Sequence, residues 1–347
     1  MQRLLTRLAR YAVVLLAAPL VLLAVQSAPQ GVSAASKAPS AGTVAKARAQ
    51  FVKDLSSHAT AVTGGDWTSP GAAHAAAAAK SAANGTVSQF PSYNWSGYAD
   101  SESGTKTVSY VSGNWTMPGV TCPTAPYQNS DAFLANWVGI DGLTDGTVEQ
   151  LGTAVQCYEG VKYYYVWYEM FPAGTVEEGT TACINDNVNC PEPGDQISAS
   201  VTATPGASGE NNYSLKLTDH TRPQESFSAT GSCAAATCLD SSGEWVIERP
   251  AFSLPFGFQI LPLADFTKSV FSAGDIVSGG TASNIQRFND GPVYDMPMVD
   301  DSASYWLDCV DQPSSPGSLL SATSATSCPT AVPNSRGGFE TTWDAGF

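Results

Sequence analysis

The chain has 347 residues, 14% of them charged, and a net charge of −15. That acidity argues against nucleic acid or an anionic membrane as partner, because both repel a negative surface. Three histidines, and no HExxH, EF-hand, P-loop or GxGxxG spacing, argue against a metal site or a nucleotide cofactor, so none is expected.

Residues 1–34 read as a secretory signal. Arg3, Arg7 and Arg10 form a basic start, an apolar run extends from Tyr11 to Val25, and Val32-Ser33-Ala34 is a small-residue cleavage box. The apolar run is shorter than the roughly 20 residues that span a bilayer, so a secreted protein with no membrane attachment after cleavage is expected. Residues 35–88 are rich in Ala, Ser and Lys and read as a propeptide, with helix predicted over Ala47 to Ser56 and Ala72 to Ala83. Charge divides the chain at this point. Residues 1–88 hold 8 Lys/Arg against 2 Asp/Glu, a balance of +6, and residues 89–347 hold 8 against 29, a balance of −21. A basic prosegment paired with an acidic body, and released on acidification, follows as an expectation.

From residue 89 onwards short runs alternate in period two, with Gly, Pro, Asn and Asp between them. The clearest strands are Thr105 to Ser112, Lys162 to Phe171, Gln196 to Thr204, Asn212 to Thr218, Glu244 to Arg249, Ser302 to Val310 and Phe339 to Trp343. No amphipathic helix is evident. The pattern predicts one all-β domain over 89–347, an antiparallel β-sandwich of two large sheets. All eight cysteines lie in it, which in an exported chain reads as disulfides. Spacing favours Cys183–Cys190, Cys233–Cys238 and Cys309–Cys328 as local staples, leaving Cys122 with Cys157, although sequence does not fix the connectivity.

A Ser-His-Asp site lacks its parts: His220 is the one histidine after residue 88, and no GxSxG elbow is present. Asp-Thr-Gly and Asp-Ser-Gly are absent too, which removes the two-aspartate protease site. Carboxylates, amides and aromatics remain. Glu248 shares a strand face with Glu244 and Val246, while Trp245 and Ile247 point the other way. Glu169 shares a face with Tyr165, Trp167 and Phe171. A carboxyl in an aromatic row is partly desolvated, which raises its pKa and suits general acid–base work.

Six segments in order resemble the glutamic peptidases, or eqolisins. They are Asn94-Trp95-Ser96-Gly97-Tyr98, Val111 to Pro118, Trp137-Val138-Gly139-Ile140-Asp141-Gly142, Val148-Glu149-Gln150-Leu151-Gly152, Trp167-Tyr168-Glu169 and Glu244-Trp245-Val246-Ile247-Glu248. The chain looks like a bacterial branch of that family. The resemblance implies a concanavalin A-like, lectin-like jelly roll and an acid endopeptidase without metal or cofactor, acting on proteins or peptides, expected as a monomer. It places the catalytic pair on Gln150 and Glu248, with Trp137 and Trp95 beside them and Asp141 and Glu169 in support. Leu151 replaces a family Thr, the spacing from the Trp137 box to Gln150 is one residue short, and Arg249 stands where an acidic residue is frequent.

Two rivals use the same fold. A glycoside hydrolase needs two carboxyls within about 10 Å; Glu244 and Glu248 lie about 13 Å apart along a strand, which leaves Glu169 with Glu248 as its candidate pair. A non-catalytic, carbohydrate-binding lectin-like module would stack sugars on the aromatics of Lys162 to Phe171, and it has no need of a propeptide.

Overall fold

The computed structural model describes residues 39–58, 80–81, 86–102, 105–123, 131–143, 145–254, 257–285, 288, 290–299, 306–311, 336 and 338–343. Residues 1–34, expected to be a signal sequence, most of the second Ala-rich stretch and Cys328 lie outside these residues.

Helix α1 (Ala41–His58) comes first. The strands follow as β1 (Lys80–Ser81), β2 (Thr86–Gln89), β3 (Trp95–Ser101), β4 (Val108–Thr116), β5 (Val120–Thr121), β6 (Ala132–Ile140), β7 (Val148–Tyr158), β8 (Val161–Phe171) and β9 (Thr175–Glu178). After the short helix α2 (Thr181–Asp186) come β10 (Gln196–Pro205), β11 (Glu210–Asp219), β12 (Phe227–Ala234), β13 (Ser242–Glu248), β14 (Ala251–Leu254), β15 (Gly257–Ile260) and β16 (Asp265–Phe266). The rest are β17 (Ser269–Ser278), β18 (Thr281–Asn284), β19 (Val293–Met296), β20 (Met298–Val299), β21 (Trp306–Asp311) and β22 (Phe339–Trp343).

Two large sheets dominate, as the alternation predicts. The first runs β1-β2-β19-β3-β13-β6-β7-β8-β9, and the second β12-β11-β10-β4-β17-β22-β21-β20, with β18 on β17. Pairing is antiparallel throughout both sheets except between β2 and β19. β1 and β2 begin before residue 89 yet extend the first sheet, and Lys80 and Ser81 are strand where the Ala-rich composition predicts helix.

Period-two patterning explains the layers. Tyr98, Val138, Leu151, Val166, Trp245 and Ile247 leave the first sheet on one side and meet Trp115, Ile197, Leu215 and Phe271 of the second. The other face of the first sheet carries its own buried cluster, in which Trp95, Trp137, Tyr165, Trp167 and Val246 join Val44 and Ala47 of α1. Gly152 allows this crowding, because it sits between Trp137 and Trp167 in the ladder. A Cβ there would fall 2.0 Å from the Asn136 carbonyl oxygen and 2.7 Å from Trp137 Cβ.

Three of the four expected disulfides are present among the described residues: Cys122–Cys157, Cys183–Cys190 and Cys233–Cys238. The second of them staples α2, which the pattern of the sequence does not announce. Six residues are too few to show a helical period, and the helix depends on its ends. Thr180 Oγ1 accepts the Cys183 N–H at 3.2 Å, and Asn187 closes the helix in the left-handed region at φ 55°.

Candidate active site

Strand register brings distant residues into rows on the outer face of the first sheet. One row runs Glu244, Gly139, Gln150, Glu169, Thr175 across β13, β6, β7, β8 and β9. The next runs Val246, Trp137, Gly152, Trp167, Glu177, and the third Glu248, Ala135, Ala154, Tyr165. Trp95 of β3 pairs with Glu248 on its other side. Gln150, Glu248, Trp137, Glu169 and Trp95 therefore occupy one face.

Both oxygens of Glu248 have donors. Trp137 Nε1 donates to Oε2 at 2.8 Å and Asn94 Nδ2 to Oε1 at 3.3 Å. The two indoles lock each other, Trp95 edge-on to Trp137 with ring centroids 5.0 Å apart. Glu248 is 6% exposed. Burial pushes its carboxyl up to about 7, while hydrogen bonding from Trp137, Trp95 and Asn94 pulls the other way.

Gln150 is 7% exposed, and its Nε2 donates to Glu169 Oε2 at 2.8 Å. Its Oε1 is buried without a partner among the described residues. One amide N–H and one carbonyl oxygen are thus uncommitted. Glu169 also accepts the Thr175 hydroxyl at 3.1 Å. Burial first, then the charge of Glu248, push Glu169 up to about 8, and the Thr175 and Gln150 bonds oppose this. Glu169 is therefore bonded to Gln150 and repelled by Glu248.

Asp141 stands apart from this group. It ends β6 at φ 68°, and its carboxylate accepts the backbone N–H of Asp240 at 2.8 Å and of Ser241. It anchors the chain entering β13. Arg249 turns its Nε to the Tyr93 carbonyl at 2.7 Å, and its backbone N–H bonds Asn94 O at 3.0 Å, which fixes the Asn94 loop beside Glu248. Two contributors escape sequence reasoning. Asn94 is visible only as the first residue of a motif, and Thr175 only as part of a short strand. Their partners lie 154 and 6 residues away, and strand pairing alone reveals the contacts.

The face has a cover. Helix α1 contacts β9 and α2 on one side and β14 on the other, so it reaches from one edge of the face to the chain that follows Glu248. Its 18 residues span about 27 Å. Four strand spacings, β9 to β13, come to about 19 Å.

The arrangement offers a buried carboxyl and a buried amide on one aromatic face of the first sheet. Residues 93–296 match the sequence profile of the Peptidase A4 family. The chain belongs to that family. It is a glutamic-type endopeptidase, and its substrates are proteins or peptides. No curated protein matches its sequence. Among solved structures it is similar to scytalido-glutamic peptidase with a transition state analog inhibitor, at 19% identity over 72% of this chain and 98% of that one, TM-score 0.48. It is also similar to aspergilloglutamic peptidase from Aspergillus niger, at 18% identity over 61% and 99%, TM-score 0.37.

Proposed function

We propose that this A4 peptidase is a secreted acid endopeptidase in which Glu248 and Gln150 activate water, and that residues 35–88 form a prosegment which keeps it latent. The observation that carries the reading is one buried sheet face holding a donor-bound carboxylate and a Gln amide with unused hydrogen-bonding capacity.

Ionised Glu248 takes a proton from a water that also donates to Gln150 Oε1, and the water oxygen attacks the scissile carbonyl carbon. The second N–H of Gln150 Nε2 then donates to the oxyanion, because the first is given to Glu169. Glu248 returns its proton to the departing amine as the C–N bond breaks, which balances the step without metal or covalent intermediate. Trp137 and Asn94 hold the carboxylate oxygens, and Glu169 holds the amide.

Latency follows from the same groups. With α1 in place burial keeps Glu248 near 7, so in acid it is protonated and cannot serve as base. Loss of the helix readmits water, the carboxyl falls towards its ordinary range, and the base becomes available in acid. Arg48 on α1 adds an ion pair with Glu177 that holds the helix on the sheet. Three disulfides and a basic, apolar start to the sequence support secretion.

The test is digestion of a denatured protein across the acid range by acid-treated protein, beside Glu248→Gln, with a metal chelator and a serine-protease inhibitor in parallel. Acid-peaked proteolysis, indifferent to both inhibitors and lost in the variant, is expected. Near-native activity in Glu248→Gln overturns the assignment. For the prosegment, neutral replacements of Lys37, Lys46, Arg48, Lys53 and Lys80 should release activity earlier, and a proform that stays equally latent overturns that part.

A further inference from the structure

The guanidinium of Arg48 is received by the catalytic domain in a cradle with acceptors only. Nη1 donates to a Glu177 carboxylate oxygen and to the Tyr164 carbonyl at 3.2 Å. Nη2 donates to the Cys183 carbonyl at 2.9 Å and to Asn187 Oδ1 at 3.3 Å. The planar group lies over the Tyr165 ring, 4.4 Å from its centroid. Both Arg48 and Glu177 are buried. A carboxylate, two carbonyls, an amide oxygen and a π face receive the two terminal nitrogens and the plane of the guanidinium, while Nε has no partner among the described residues.

The cradle owes its shape to the catalytic domain. The Cys183–Cys190 disulfide holds the loop, and Asn187 donates its Nδ2 to the Lys162 carbonyl at 3.3 Å, which aims Oδ1 at the cation. Thr180 caps α2 and is fixed in turn by Glu225, whose Oε1 accepts its hydroxyl at 2.7 Å. None of these bonds involves α1.

The cradle also lies in line with the catalytic face. Tyr165 is in the same cross-strand row as Glu248, and the two positions between them are Ala135 and Ala154. Three strand spacings separate Tyr165 from Glu248 by about 14 Å, the reach of about four extended residues, with only two methyl side chains between them.

We infer that the Arg48 cradle is a substrate subsite for an arginine or lysine side chain, about three or four residues from the cleaved bond, which α1 fills with its own arginine while the enzyme is latent. The inference rests on the peptidase reading of that face. It also gives the acidic body a selective purpose, because the cradle concentrates its charge at one position of the substrate.

The test pairs fluorogenic peptides that carry arginine or its neutral isostere citrulline at successive positions, cleaved by the acid-treated full-length protein. At one position arginine should raise kcat/KM about tenfold, the worth of one charge-assisted hydrogen bond. Glu177→Gln should bring that ratio close to one. Asn187→Ala should narrow it and serves as the second variant if Glu177→Gln does not fold. A ratio near one in the unaltered protein, or one unmoved by both variants, overturns the subsite. Binding of the same peptides, labelled for fluorescence anisotropy, to the full chain carrying Glu248→Gln and Arg48→Ala separates the two readings. If nothing is cleaved, the peptidase reading has failed. Tighter binding of the arginine peptide then sustains the cradle, and equal binding overturns it.

Discussion

Glu248 and Glu149 lie in the same sheet, one on each face, and both carboxyls are buried. Glu248 has an indole and an amide donating to its two oxygens, and it sits near 7. Glu149 faces the second sheet. Burial, with Asp141, Asp240 and Asp145 close by, pushes it up to about 10. Its Oε2 has no partner among the described residues, and its Oε1 lies 3.0 Å from Cys238 Sγ. That sulfur is in a disulfide and has no proton to give, so it supplies no donor to the carboxyl. Burial raises both groups. Donors keep Glu248 within reach of ionisation, while like charges and missing donors hold Glu149 neutral. One sheet thus carries a carboxyl set to switch and a carboxyl set not to.

Removing the switching group should cost most. Glu248→Gln keeps the shape and the hydrogen bond from Trp137 and loses the proposed base, so kcat should fall by about four powers of ten or more. Melting temperature should hold or rise, because a buried ionisable group is gone. Gln150→Ala should cost about 10²- to 10³-fold in kcat, the range for one lost oxyanion donor. Single-turnover assays on the acid-treated protein check both. A variant of either kind with kcat within tenfold of the parent would dissolve the contrast between the two faces.

The neutral group is tested through stability. A carboxyl whose folded pKa lies above its unfolded 4.5 stabilises the fold fully below 4.5, and that stabilisation is lost as pH rises through the folded value. Glu149 alone therefore costs about 1.4 kcal/mol per pH unit from about 5 up to about 10. Glu244, buried with both oxygens unpartnered among the described residues and raised well above its ordinary value, adds to the slope in the same direction. Urea unfolding at stepped pH should show stability falling steadily above about pH 5, and Glu149→Gln should flatten the slope by about one group's share. A slope unchanged in the variant would mean that Glu149 is ionised in the fold.

How much of this the sequence shows depends on the range of the interaction. Period two along Lys162 to Phe171 places Tyr165, Trp167 and Glu169 on one face, and β8 runs Val161–Phe171 with that orientation. Phe339–Trp343 is a strand with the predicted bounds. Both depend on neighbours two residues apart. Close cysteine spacing likewise anticipates the Cys183–Cys190 and Cys233–Cys238 loops. Strand pairing over long separations is different. Nothing local says that Asn94 will meet Glu248, that Arg48 will cross to Glu177, or that Asp141 will give its oxygens to the chain entering β13. α2 is hidden for another reason, since its stability comes from a cap and a staple and not from an apolar period.

The mildest change sharpens the comparison furthest, because it alters the level of Glu248 without removing it. Asn94 Nδ2 donates to Oε1 and so favours the ionised form. Asn94→Ala removes that donor and leaves the Trp137 bond, so the carboxyl should rise by up to about one pH unit. A base works only when ionised. The limb of kcat/KM that climbs as Glu248 loses its proton should therefore shift to higher pH, with a loss of about tenfold on the acid side and little loss above it. Thr175→Val is the control. It takes a donor from Glu169 and leaves both donors of Glu248 in place, so kcat should drop a few-fold at every acid pH with the limb unmoved. If both variants shift the limb alike, the two glutamates titrate as one unit, and the division of labour between base and amide holder does not stand.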